Sequence, residues 1–405
     1  MRIGIDCRSL MALPHEERGG IEYYTYSLIK HLFAIDREND YVLFFDHLVK
    51  DADRFKQPNV SVRYFPFSYY RQYLPFAYSH LLMASFLNRE KLDILHSPAH
   101  TIPLLYKGKF IITIRNMSVF KHPEWFRHEY FPPVPPELFS RTLFTMKKLL
   151  PQNIKKADKV ITFSKDTKRD VAKVFRIPAE KISVVYPGID TDEQFRTTDD
   201  AEELSARFGI TQPYVFFIGS IEPRKNLHGL VQAYYQLLLE HPELVRNQLL
   251  LVGEKRGGAK CDELFETIDF CNKDLEKRGI AHVREQIRYL GFVPYQDKFL
   301  FLRNAACFAY PSFYEGFCST PLKAMEYGVP VIASRIRSLV EIADNAAYFV
   351  DPNSTGEIQS ALHDVLTKKD LRERLRAAGD THARNFSWKT SAQNTLNVYT
   401  KVFQK

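Results

Sequence analysis

Apolar and polar positions along the chain switch between two periods. Short apolar runs with strand spacing recur at 2–6, 41–45, 60–65, 94–96, 110–114, 158–164 and 182–186, and again at 214–218, 249–252, 287–290, 307–310, 331–333 and 347–350. Stretches between them, such as 23–33 and the region from Leu227 onward, carry apolar residues at helical spacing. Strand alternating with helix predicts parallel sheets joined by crossover helices. The rhythm breaks at Pro187-Gly188-Ile189-Asp190 and restarts at Tyr214. A chain of 405 residues exceeds what one ordinary core organises, so two doubly wound α/β domains are expected, with a boundary near 190–198.

The stretch 309–334 reads as strand end, loop, helix and strand. Its loop holds Glu315-Gly316; Thr320 is placed to cap a helix with Pro321 in the first turn, and the helix is expected to end near Gly328. A loop entering a helix N-terminus offers unpaired N–H groups to an anion such as a phosphate. Lys323 stands where a capping box would carry Glu or Gln, and a cation in a first turn costs roughly 0.3 to 1 kcal/mol against the helix dipole. Glu315 or a ligand phosphate is the expected offset.

Arg224-Lys225 follows the strand that ends in Gly219-Ser220, on a loop expected to open on the same sheet edge as Glu315. A guanidinium fork beside an ammonium matches a diphosphate; the same pair also reads as two exposed surface cations. Gly19-Gly20 precedes the first helix without GxGxxG spacing, so it is either an ordinary turn or a place where backbone approaches a ligand. Arg115-Asn116 sits at the carboxyl end of a strand, where open α/β sheets place ligands. Asp190-Thr191-Asp192 formally spells a metal-binding D-x-D, but its place in the connection between domains argues against a metal.

Composition adds limits. The chain is 45% hydrophobic and 26% charged, without a low-complexity tract or an apolar run of about 18 residues to span a bilayer. Five scattered cysteines without CxxC spacing argue for a reducing cytoplasm and against structural zinc. The net charge is +8, and residues 109–173 alone carry 14 Lys and Arg against 6 Asp and Glu. That surplus favours an anionic partner, with peripheral contact to an anionic membrane through this segment as one expectation and a solvated helix face as the other. No motif supports nucleic acid. Residues 64–78 are dense in aromatics and suit a membrane interface, a surface against an acceptor, or the domain core.

The motifs RGGIEYY, EPRKN, YEGFCSTPLKAMEYGVPVIAS and FSW at 386–388, in this order and spacing, resemble the GT4 family of retaining glycosyltransferases over essentially the full length. The resemblance implies a GT-B fold: a Rossmann-like acceptor-side domain at 1–192, a Rossmann-like nucleotide-sugar domain at 193–385 facing it across a cleft, and a helix at 386–405 crossing back to the first. It implies a nucleotide-diphosphate sugar as co-substrate and a glycan or lipid-linked acceptor, in surface polysaccharide biosynthesis, with no metal or other cofactor. Arg224 and Lys225 then match the diphosphate pair, and Glu315 a carboxylate near the sugar. Gly316, Phe317, Cys318 and Ser319 match a backbone stretch at sugar and phosphate. Gly19 and Gly20 match a phosphate loop, and Gly219 ends the strand before the pair. The base is placed near Gly291 and Val293.

Three departures stand out. Lys323 replaces a second glutamate, Arg115-Asn116 replaces His-Asp, and Cys318-Ser319-Thr320 replaces Gly-Leu-Pro. Both Lys323 and Arg115 remain candidates for the donor site. They also raise an alternative, a GT-B pseudoenzyme that serves as a binding or stabilising subunit. Either form is expected in the cytoplasm, with peripheral membrane contact at most.

Overall fold

The computed structural model describes residues 1–10, 20–46, 52–66, 78–99, 102–126, 143, 145–189, 201–210, 213–256, 258–281 and 285–405. Gly19, the Asp190–Asp192 triplet and most of the aromatic stretch 64–78 lie outside them. The chain groups into two compact units. One comprises Met1–Phe120, Glu137–Gly188 and Phe386–Lys405; the other comprises Lys121–Pro136 and Ile189–Asn385. The first unit thus ends at Gly188 rather than at 192, and the described residues 121–126 belong with the second.

The first unit holds a parallel seven-stranded sheet in the order β3-β2-β1-β4-β5-β6-β7, comprising Val60–Tyr64, Asp40–Phe45, Arg2–Asp6, Ile94–Ser97, Phe110–Ile114, Lys159–Thr162 and Ile182–Val184. Its inner strands are covered on both faces, which is why they read as continuous apolar runs; every residue of β5, FIITI, is buried. The terminal helix, Trp388–Phe403, packs on the first helix, Gly20–Ile35. Trp388 meets the rings of Tyr23, Tyr24 and His31. Where the chain leaves this unit it passes its own return so closely that a Cβ on Gly188 would lie 2.2 Å from the Trp388 nitrogen. That close approach, rather than a turn, requires the glycine at the sequence break.

His96 of β4 is fully buried between Tyr399 of the terminal helix, 2.7 Å from Nδ1, and Thr113 of β5, 2.8 Å from Nε2. Burial pushes its pKa down to about 3, so the ring is neutral and serves as a hydrogen-bonded rivet.

The second unit holds a parallel six-stranded sheet in the order β10-β9-β8-β11-β12-β13, comprising Ile287–Gly291, Gln248–Val252, Tyr214–Ile218, Cys307–Tyr310, Val331–Ser334 and Ala347–Val350. Strand order reverses between β8 and β11, and the carboxyl ends on either side of such a reversal leave a crevice for ligands. Gly219, Gly253 and Gly291 end β8, β9 and β10. A Cβ on Gly253 would lie 1.8 Å from the Gly219 carbonyl oxygen, so only glycine lets these strand ends close together. No helix among the described residues is long and apolar enough to cross a membrane.

Candidate active site

At the reversal in the second sheet, β8 runs through Gly219 and Ser220 into a short turn, Pro223–Lys225. Asn226 follows with φ of 55°, a left-handed conformation that Asn tolerates better than most residues, and the helix Leu227–Glu240 begins. Asn226 makes no side-chain cap bond; it donates to the Pro352 carbonyl at 2.6 Å and ties the turn to the end of β13. This geometry directs Arg224 and Lys225 toward the loop after β11.

They meet Glu315. Lys225 Nζ lies 2.6 Å from Oε1, and Arg224 Nη1 lies 2.8 Å from Oε2. Tyr310, the last residue of β11, donates to Oε1 at 3.1 Å and accepts from Lys225, while Cys318 donates to the same phenol at 3.0 Å. Arg224 Nη2 reaches Glu222 at 2.7 Å, and Ser220 donates to that carboxylate at 2.6 Å. The Phe313 amide donates to the Arg224 carbonyl at 2.8 Å, joining the two loops through backbone. Lys225 and Glu315 are each only 5% exposed, so Lys225 is not a surface cation.

Burial opposes ionisation of Glu315, but Lys225 and Arg224 outweigh it and hold the carboxyl at about 2. Burial likewise opposes charge on Arg224, and Glu315 and Glu222 raise its pKa. Burial pushes up the Cys318 thiol, which stays protonated. Arg224 keeps a donor surface: Nη1 serves Glu315 and the Tyr314 carbonyl, Nη2 serves Glu222, and Nε–H with one Nη2 N–H is left for a ligand. Two cations around one carboxylate, with N–H groups to spare, can receive a diphosphate.

The neighbouring helix departs from expectation. It spans Ser319–Glu326 with Cys318 as N-cap and no side-chain cap bond, so Thr320 and Pro321 are helical residues rather than the cap and the residue after it. Its end at Glu326, before Gly328 with φ of 69°, agrees with the sequence reading. Lys323 therefore lies in the last turn, where the helix dipole favours a cation, and the expected penalty disappears. Its carboxylate partner is Glu326, at 3.6 Å, and its ammonium lies 5.3 Å from the centre of the Phe299 ring.

Gly316 and Cys318 are buried beside Glu315, whereas Phe317 and Ser319 are half-buried. Gly291 has φ of 73°, which suits glycine, and a Cβ there would meet nothing within 4 Å. Val293 is fully buried, so its side chain belongs to the core and not to a ligand surface; Phe292 beside it is 58% exposed. Gly20 and Arg115 belong to the first unit, where a Cβ on Gly20 would lie 3.2 Å from the Arg115 guanidinium. Asn116 accepts from the Ser118 N–H and hydroxyl and starts the short helix Ser118–Lys121. Sequence reasoning missed Glu222 and Tyr310 as members of the cluster. Their signal was position alone, Tyr310 as the last residue of β11 and Glu222 in the loop that follows β8.

Two doubly wound units, with an anion-ready edge in the second, are the architecture of the GT-B fold. Known proteins agree. The Glycosyl transferases group 1 profile matches residues 200–382, and that of Glycosyltransferase Family 4 matches 18–193. The O-antigen chain mannosyltransferase B of Escherichia coli is 32% identical over 308 residues, which are 76% of this chain and 74% of that protein. The D-inositol 3-phosphate glycosyltransferase of Streptomyces scabiei is 30% identical over 257 residues, 62% of this chain and 55% of that one. HepE of Anabaena, crystallised with UDP and glucose, superposes with a TM-score of 0.65 at 16% identity, covering 99% of this chain and all (100%) of that one. The chain belongs to the family 4 glycosyltransferases.

Proposed function

We propose that the chain is a retaining glycosyltransferase that moves a sugar from a nucleoside diphosphate to a glycan or lipid-linked acceptor during assembly of a surface polysaccharide. Mannose is the sugar suggested by the name of its E. coli relative. One observation carries the reading: Arg224 and Lys225 converge on buried Glu315 at the reversal of the second sheet. Negative charge accumulates on a departing phosphate, and cations already in place stabilise it without reorganisation. They supply charge that a metal supplies elsewhere, so transfer is expected to persist in EDTA.

Glu315 is engaged by three donors, with its pKa held down at about 2, which makes it a poor nucleophile. That favours front-face attack, in which the leaving phosphate takes the acceptor's proton. The fourth lone-pair site of the carboxylate is left for a sugar hydroxyl. The alternative, a subunit without turnover, rests on Lys323 in place of a second glutamate and on Arg115-Asn116 in place of His-Asp. Lys323 pairs with Glu326 and leaves Glu315 to Arg224 and Lys225, but both departures still favour the alternative.

Calorimetric titration with a panel of nucleoside diphosphate sugars tests the donor site, and NMR of the product anomer tests retention. Binding of one sugar with transfer at retained configuration is expected. Binding of none removes the donor site, whereas binding without transfer or hydrolysis selects the subunit. The basic segment 109–173 supports peripheral contact with anionic lipid, expected as salt-sensitive co-sedimentation with phosphatidylglycerol vesicles. Equal recovery with neutral vesicles counts against it.

A further inference from the structure

Beyond the carboxyl ends of β12 and β13, within the second unit, lies an open cavity of about 480 Å³. Its lining includes His122, Trp125, Phe313, Arg335, Asp351 and Asn353. Arg335 is the first residue after β12 and Asp351 the first after β13, so the cavity occupies the sheet edge where α/β folds admit ligands. Its volume falls within the roughly 300–1,000 Å³ of sites for compact organic ligands.

The wall is aromatic and braced. The rings of His122 and Trp125 stack at 4.0 Å and 14°, and His122 meets Tyr314 at 5.3 Å. The polar groups are arranged for hydroxyls rather than for an anion. Arg335 is already paired with Glu357 at 3.1 Å and bonded to the Phe349 carbonyl at 3.0 Å. Asn353 donates twice to Oδ1 of Asp351, at 2.9 and 3.0 Å, so neither bond uses Oδ2. A carboxylate with an uncommitted oxygen repels phosphate and accepts from a polyol. A pyranose presents a face of C–H groups to an aromatic ring and a rim of hydroxyls to carboxylate, amide and guanidinium.

The cavity also shares a loop with the charged cluster. Phe313 lines it, bonds the Arg224 backbone, and stands two residues before Glu315. We propose that this cavity is a carbohydrate subsite that holds a sugar unit of the glycan acceptor, stacked on Trp125 and hydrogen-bonded by Asp351 and Asn353. The assignment rests on the glycosyl-transfer reading and adds to it the place where the acceptor is gripped.

The test uses the full chain and α-linked mannotetraose. The protein has 2 tryptophans, and Trp388 is 3% exposed, so a saturable fluorescence change on titration reports Trp125. Such a change is expected, with calorimetric Kd values at least tenfold higher for Trp125→Ala and Asp351→Asn and within threefold of wild type for Trp125→Phe. Nucleoside diphosphate sugar affinity should match wild type in all three. Absence of saturable binding by wild type overturns the subsite, as does equal binding by Asp351→Asn and Trp125→Ala. Where Trp125→Ala does not fold, Asp351→Asn reads the same site. Failure of the transfer reading would show separately, as wild type that binds no nucleoside diphosphate sugar.

Discussion

The two sheets share a strand order at their centres, with β1 beside β4 in one and β8 beside β11 in the other, yet the reversals hold different chemistry. In the first, Asp6 and Arg8 at the end of β1 satisfy each other at 2.6 Å, and His96 of β4 is neutral and bonded at both nitrogens. Polar groups there are spent on the fold. In the second, an ionised carboxylate is buried between two cations, an arrangement whose desolvation cost, several kcal/mol per ion, often exceeds what the pairing returns. Arg224 retains N–H groups beyond its partners. Topology therefore locates the crevice, but a site arises only where the groups lining it keep capacity for something else.

Removing the charge from the second reversal should have the largest effect. Arg224→Ala combined with Lys225→Ala is expected to lower kcat/KM by about 10³-fold or more, since one preorganised donor is typically worth about 10² to 10³. This variant strands Glu315 without a cation, so the triple variant with Glu315→Gln should recover thermal stability while remaining inactive. An active triple variant would erase the contrast between the two reversals.

Glu315→Gln alone keeps a polar acceptor but leaves two buried cations unbalanced. A drop of about 10²-fold in kcat and a lower Tm are expected; unchanged kcat would reduce the carboxylate to a structural counter-ion.

At the first reversal, Tyr399→Phe should cost about 1 to 2 kcal/mol in urea unfolding and leave kcat unaltered. Loss of turnover at unchanged stability would make His96 more than a rivet.

The smallest effect is in acid. The native pKa of His96 is pushed down to about 3 from an ordinary 6.5, so below pH 6.5 the unfolded chain binds a proton that the native one refuses, and stability falls from pH 6.5 toward 3. Glu315 adds stability present above its ordinary 4.5 and lost as pH falls toward about 2. Between pH 6.5 and 5 only the first of these operates. His96→Asn should flatten the stability profile there, and a slope equal to wild type would contradict the assignment.

Amino-acid order by itself determined the strands found among the described residues, 7 in one sheet and 6 in the other, because strands covered on both faces must be apolar throughout and their helices amphipathic. It also exposed Arg224, Lys225 and Glu315, since a cation pair before a helix and a carboxylate before another are local patterns. Only tertiary structure decided their partners. Glu222 and Tyr310 join the cluster, Lys323 turns to Glu326, Val293 turns into the core, and residues 121–126 contribute Trp125 to the second unit. Periodicity reports which face of an element is covered, whereas these contacts depend on which strands lie side by side. Such contacts join segments far apart in sequence, as His96 of β4 and Tyr399 of the terminal helix at a separation of 303, and no local spacing encodes them.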